Sequence, residues 1–106
     1  MKKVGVIGAG SWGTALAIHL ANKGNDVTLW AFLKEEVEEL SKTRKHVNLP
    51  EAVIPDSIKI TNDVKEAIEG NDIILMVVPS NFMRQNVEMI KPFVKDNQVI
   101  VNASKG

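Results

Sequence analysis

The stretch Val4-Gly5-Val6-Ile7-Gly8-Ala9-Gly10-Ser11-Trp12-Gly13 runs from an apolar segment into three glycines spaced GxGxxG, and a helix-forming run, Thr14-Ala15-Leu16-Ala17-Ile18-His19-Leu20-Ala21, follows. Strand, glycine turn and helix in that order form the setting in which this spacing binds a dinucleotide. Each glycine serves a separate physical purpose. Gly8 permits the tight turn, Gly10 lets the backbone approach a pyrophosphate, and Gly13 lets the helix pack on the strand. The first N–H groups of the helix and its positive dipole end then face the phosphates. The competing reading is a tight strand–helix turn that holds no ligand.

Outward from this turn the pattern alternates. Strands are predicted at residues 3–7, 27–30, 58–61, 73–78 and 98–102, with helices at 11–22, 34–42, from Asn62 or Asp63 to Gly70, and from Ser80 to Pro92. Gly24 and Gly70 stand where helices end. Ser80 is expected to cap the fourth helix, with Met83, Val87 and Ile90 as its inner stripe. The apolar run Ile73-Ile74-Leu75-Met76-Val77-Val78 suits a central parallel strand covered on both faces. Such alternation implies an α/β fold: a Rossmann-type parallel sheet of about five strands, order 3-2-1-4-5, with helices on both faces. Ligands in such sheets lie beyond the carboxyl ends of the strands, where the order reverses. Four stretches should meet there: Gly8–Gly13, Trp30–Lys34, Val78–Ser80 and Asn102–Lys105. The longest irregular stretch, residues 43–57, is of a length that often carries function.

At 106 residues the chain suffices for one domain. Basic and acidic residues balance at 13 each, so nothing suggests nucleic acid as a partner. Cysteine is absent, which removes disulfides and thiolate metal sites and fits a reducing compartment. No apolar run spans a membrane, and glycines interrupt any signal-peptide core after Met1-Lys2-Lys3. A cytoplasmic protein without a membrane partner is expected.

Within the expected crevice, the end of the second strand reads Trp30-Ala31-Phe32-Leu33-Lys34, with neither an early acid nor an arginine to choose between a ribose hydroxyl and a 2′-phosphate. Phe32 can cover an adenine face or pack locally. Lys34 can give a 2′-phosphate one charge, or remain solvated. Trp12 can wall the pocket or pack on its own helix, and Trp30 is placed in or beside the core. Pro79 and Ser80 end the fourth strand on the ligand side. Lys105, just past the fifth strand, can bind a phosphate or polarise a carbonyl, and by position alone reads as a surface lysine. Arg44 and Arg84 are read as solvated, and His19 and His46 have no second histidine or carboxylate at ligand spacing, so no metal site is read; no Ser-His-Asp arrangement is legible.

The run from Gly8 to Ala17, with Leu29-Trp30-Ala31, Thr43-Arg44 near Leu49-Pro50, Val78-Pro79-Ser80 and Ser104-Lys105-Gly106, resembles bacterial NAD(P)-dependent glycerol-3-phosphate dehydrogenase across the whole chain. The resemblance implies an N-terminal cofactor-binding domain, residues 1–106, of an enzyme that interconverts dihydroxyacetone phosphate and sn-glycerol 3-phosphate in glycerophospholipid synthesis. By motif position it makes Ser11 and Trp12 cofactor contacts. They join Gly8, Gly10, Gly13, Phe32, Lys34, Pro79 and Ser80, which their own chemistry and place in the crevice make candidate cofactor-binding residues. It places Lys105 near both cofactor and substrate. The family commonly carries basic residues where this chain has Phe32-Leu33, so NAD and NADP both stay open. It also carries its catalytic lysine beyond Gly106, so the resemblance implies an incomplete domain with no catalytic residue of its own. A fifth strand left at an open edge invites self-association, such as a homodimer. The alternatives are another dehydrogenase of this architecture, related to 6-phosphogluconate dehydrogenase or ketopantoate reductase, or a non-catalytic dinucleotide sensor.

Overall fold

The computed structural model describes residues 2–103 of the chain. β1 (Lys3–Ile7) leads to α1 (Ser11–Asn22), β2 (Asp26–Trp30), α2 (Lys34–Thr43), β3 (Lys59–Thr61) and α3 (Val64–Ile68). β4 (Ile73–Met76), α4 (Met83–Ile90) and β5 (Val99–Asn102) follow, with 3-10 turns at Ser80–Phe82 and Lys91–Phe93. The five strands pair in parallel in the order β3-β2-β1-β4-β5. The point of reversal lies between β1 and β4, where the expected crevice belongs.

Alternation along each strand deals side chains to two cores. Val4, Val6, Val27 and Leu29 face one side with Ala17 of α1, Leu40 of α2, and Ile54 and Ile58. Ile7, Trp30, Ile74 and Met76 face the other with Ala67, Ile68 and Ile90. Gly5 permits the second layer to close: a Cβ there would stand 2.1 Å from the Ala67 carbonyl oxygen. Asp63 caps α3 by accepting the Lys65 N–H at 3.0 Å, as the sequence predicts.

Several expectations are corrected. β4 ends at Met76 rather than Val78, although the Val77 N–H still reaches the Ile7 carbonyl at 2.8 Å. Its Ile74 and Met76 are buried, while Ile73 and Leu75 are half-buried, so one face is covered less fully than a central strand requires. Ser80 caps nothing. It opens a 3-10 turn without a side-chain cap bond, and Phe82 stands at the cap position of α4. Three residues per 3-10 turn against 3.6 in the α-helix shift the phase, so Val87 faces solvent while Met83, Met89 and Ile90 pack inward. Val99, Ile100 and Val101 of β5 are exposed, an apolar edge strand as anticipated. Arg44 is not a free surface cation. It ends α2 in the left-handed conformation (φ 55°), and its guanidinium donates to the Pro55 and Ile58 carbonyls at 3.2 and 2.9 Å. With Ile54 and Ile58 buried, residues 44–58 are therefore folded onto the domain rather than hanging as a lid.

The amino ends of the strands are closed by side chains. Asn25 and Asp72 accept the backbone N–H groups of Lys2 and Lys3 at 3.0 Å each. The Gln98 amide donates to the Ile68 and Asn71 carbonyls at 2.6 and 2.7 Å and accepts the Lys95 N–H at 2.8 Å. No helix among the described residues is long and apolar enough to cross a membrane.

Candidate functional site at the carboxyl ends of the strands

The β1–α1 turn is shaped by what glycine leaves out. Gly8 has φ 121°, outside the range of ordinary side chains, and a Cβ there would lie 2.1 Å from the Val77 carbonyl oxygen. A Cβ on Gly13 would lie 1.9 Å from the Gly8 carbonyl oxygen. These two glycines are explained by the close approach of turn, helix and β4. Gly10 is different: its φ is −68°, and nothing lies within 4 Å of the position a Cβ would take. The fold itself does not require a glycine at this position. Gly10 also occupies the cap position of α1 without a side-chain acceptor, and no acidic residue stands in the first helical turn. The helix start is thus left positive and uncapped, suited to an anion.

A cleft of about 350 Å³ opens beside this turn. Gly8, Ala9 and Gly10 form its floor, Trp30, Phe32 and Glu36 one wall, and Val77, Val78 and Pro79 the other, with Phe82, Gln85 and Asn86 at the rim. Three of the four predicted stretches therefore meet. Phe32 is 69% exposed, so it is not the packing residue the alternative reading supposed. Its ring meets the buried Trp30 edge-on, centroids 6.0 Å apart at 89°, which presents an aromatic surface to the cleft. Trp30 lies in the core, as expected. Its indole N–H has no hydrogen-bond partner among the described residues.

The fourth stretch arrives by another route. The Trp12 indole N–H donates to the Ala103 carbonyl at 2.8 Å, tying the first turn of α1 to the end of β5. Lys105 follows that point in the sequence and lies outside the described residues. Ser11, Lys34 and Ser80 are exposed, at the starts of α1, α2 and the 3-10 turn, and none of them lines the cleft.

Sequence reasoning missed two contributors. Glu36, one turn into α2, lines the cleft, and one carboxylate oxygen accepts the Leu33 N–H at 3.3 Å. The signal was the helical period itself, since position 36 of α2 falls on the side of Leu33 and Leu40 rather than with the exposed Glu35, Glu38 and Glu39. His46 touches the glycine turn: Nε2 lies 3.1 Å from the Ala9 carbonyl oxygen. A contact across 37 positions from an irregular segment leaves no periodic trace in sequence.

Residues 3–106 match the family model of the NAD-dependent glycerol-3-phosphate dehydrogenase N-terminus. The chain belongs to this family. It is 51% identical over 106 residues to glycerol-3-phosphate dehydrogenase [NAD(P)+] 2 of Lactobacillus delbrueckii subsp. bulgaricus, covering all of this chain and 32% of that protein. It is 47% identical to the corresponding protein of Agathobacter rectalis, again covering 32% of it. Among solved structures, the glycerol-3-phosphate dehydrogenase of Coxiella burnetii superimposes with a TM-score of 0.91 at 35% identity, over 99% of this chain and 33% of that one. As a member of the dehydrogenase family, the chain thus spans about a third of the length of the relatives it matches.

Proposed function

We propose that the cleft holds a nicotinamide dinucleotide, NAD or NADP, for a protein that interconverts dihydroxyacetone phosphate and sn-glycerol 3-phosphate. The observation that carries this reading is Gly10. Packing accounts for Gly8 and Gly13, whereas the open space at Gly10 has no structural use in the fold and matches the close approach of a pyrophosphate. Gly10 and the start of α1 face the phosphates, the exposed Phe32 ring covers the adenine, and Pro79 borders the opposite wall. Ser11 and Trp12 stand in the first turn of α1 beside the phosphates, and Trp12 anchors the segment that leads to Lys105. Lys105 is assigned to the region where cofactor and substrate phosphate meet. Bound there, the dinucleotide supplies a hydride at C4 of its nicotinamide; this chain contributes its placement rather than the substrate chemistry.

The Glu36 carboxylate stands in the cleft, and no arginine lines it among the described residues. That favours a ribose hydroxyl over a 2′-phosphate, so NADH is expected to bind more tightly than NADPH, with Lys34 as the nearest solvated cation in sequence. Titration of the protein with each dinucleotide, followed by tryptophan fluorescence, tests the reading. Quenching with the lower dissociation constant for NADH is expected, and no response to either at millimolar concentration overturns the proposal.

A further inference from the structure

The Ala9 carbonyl, in the middle of the glycine turn, accepts two side-chain hydrogen bonds. One comes from the Thr14 hydroxyl, five residues along, at 3.2 Å. The other comes from His46 at 3.1 Å. The direction of the second is fixed by the far side of the ring. The Asn48 backbone N–H donates to His46 Nδ1 at 3.1 Å. Nδ1 is thus an acceptor, and the neutral ring carries its proton on Nε2, which donates to Ala9.

The ring is held rather than resting on the surface. The Leu49 N–H closes a tight turn onto the His46 carbonyl at 2.9 Å. Two residues earlier, Arg44 clamps the base of the segment to Pro55 and Ile58, and the Ile54 N–H bonds the Arg44 carbonyl at 2.8 Å. His46 lines the neighbouring surface depression with Lys45, Val47 and Pro50, on the α2 side of the turn rather than in the cleft.

In a trans peptide the carbonyl and the following N–H point in opposite directions. Two donors that draw the Ala9 oxygen toward Thr14 and His46 therefore turn the Gly10 N–H the other way. That N–H has no partner among the described residues, and Gly10 borders the cleft with no side chain in front of it. We propose that His46 is a positioning residue: it sets the plane of the Ala9–Gly10 peptide so that the Gly10 N–H donates to the pyrophosphate of the dinucleotide. The inference rests on the reading of the cleft as a dinucleotide site. A segment that does not line the cleft thereby controls the affinity of the phosphate cradle.

The test uses His46→Leu, which removes the donor, and His46→Gln, whose amide N–H reaches to a similar distance. NADH, ADP and adenosine are titrated against each, with thermal unfolding followed in parallel. Loss of an oriented donor to a charged oxygen is expected to weaken NADH and ADP about tenfold in His46→Leu. Adenosine affinity should stay at the wild-type value, and His46→Gln should recover most of the loss. Unchanged NADH binding in His46→Leu overturns the proposal, as does a parallel loss of adenosine or a failure of the glutamine to rescue. If the wild type binds none of the three, the reading of the cleft fails, and nitrogen NMR of the imidazole still decides the positioning role. A proton on Nε2 and a shifted Gly10 amide resonance in His46→Leu support it, and a proton on Nδ1 overturns it.

Discussion

At the amino ends of the strands, side chains finish the backbone: Asn25 and Asp72 bond the N–H groups that lead into β1, and Gln98 bonds carbonyls between α3 and β4. At the carboxyl ends of β1 and β4 the Ala9 carbonyl is finished in this way, by Thr14 and His46, but the Gly10 N–H stays open among the described residues. Glycine removes side chains, the start of α1 has no side-chain cap, and a cleft of about 350 Å³ stays open. The same sheet is thus sealed at one end and unsealed at the other. A sealed end contributes stability, because each hydrogen bond adds a net of about 0.5–1.5 kcal/mol. An unsealed end forgoes that contribution and presents backbone donors to a ligand.

The largest effect is expected where the unsealed end is also packed. Gly13→Ala places a methyl 1.9 Å from the Gly8 carbonyl oxygen, a backbone atom that cannot swing aside. Alanine gains about 1 kcal/mol in helix propensity, but the overlap outweighs it. A net loss of about 3 kcal/mol is expected, lowering the melting temperature by roughly 12 °C or more; calorimetry checks it. A melting temperature at or above that of the wild type would show that the turn is looser than its geometry.

Gln98→Ala probes the sealed end. It leaves the Asn71 carbonyl and the Lys95 N–H without their partner, while the Ile68 carbonyl keeps the Asn71 N–H at 3.3 Å, so a loss of about 1–2 kcal/mol is expected in urea denaturation. NADH affinity should not change. A matching fall in affinity would mean that the two ends are coupled. Gly10→Ala reverses the pattern. An alanine at a helix cap costs about 0.5–1 kcal/mol, and restricting the unfolded chain returns a similar amount, so stability should barely move. The added methyl instead occupies the phosphate approach, and a dissociation constant for NADH raised about tenfold, or 1.4 kcal/mol, is expected. If Gly10→Ala binds like the wild type, Gly10 is not where the pyrophosphate comes close.

This contrast also explains what was legible in sequence. The glycine spacing, the bounds of α1 and the strand order could all be read, because period, turn chemistry and right-handed crossovers act locally or by general rule. The role of each glycine was only partly legible, since GxGxxG does not say that Gly10 alone is free of packing. Ser80 misled because a capping residue after a strand reads the same whether an α-helix or a 3-10 turn follows. Arg44 and His46 were passed over because their partners, Ile58 and Ala9, lie 14 and 37 positions away, and no periodicity marks a bond between a side chain and a distant carbonyl.

The comparison has one instructive exception. The carboxyl end of β3, at the sheet edge away from the cleft, is sealed as the amino ends are. The Thr61 hydroxyl donates to Glu66 at 2.6 Å, and the Lys59 ammonium pairs with the same carboxylate at 2.6 Å. The unsealed state therefore belongs to β1 and β4, the strands at the point of reversal, and not to carboxyl ends as such. The hydrogen bond from Lys59, then that from Thr61, holds the Glu66 carboxyl below its usual range. Its folded pKa is depressed, so the stabilisation is present above the unfolded pKa and disappears as pH falls through the folded value. Both partners are largely solvated, with side chains 60% and 40% exposed, which limits the contribution to no more than about 1 kcal/mol. Glu66→Gln should accordingly be slightly less stable than the wild type at neutral pH. The two stability curves should converge on acidification, and added salt should narrow the gap at neutral pH. A difference that persists at low pH would assign the seal to the Thr61 hydrogen bond alone and remove the charge from it.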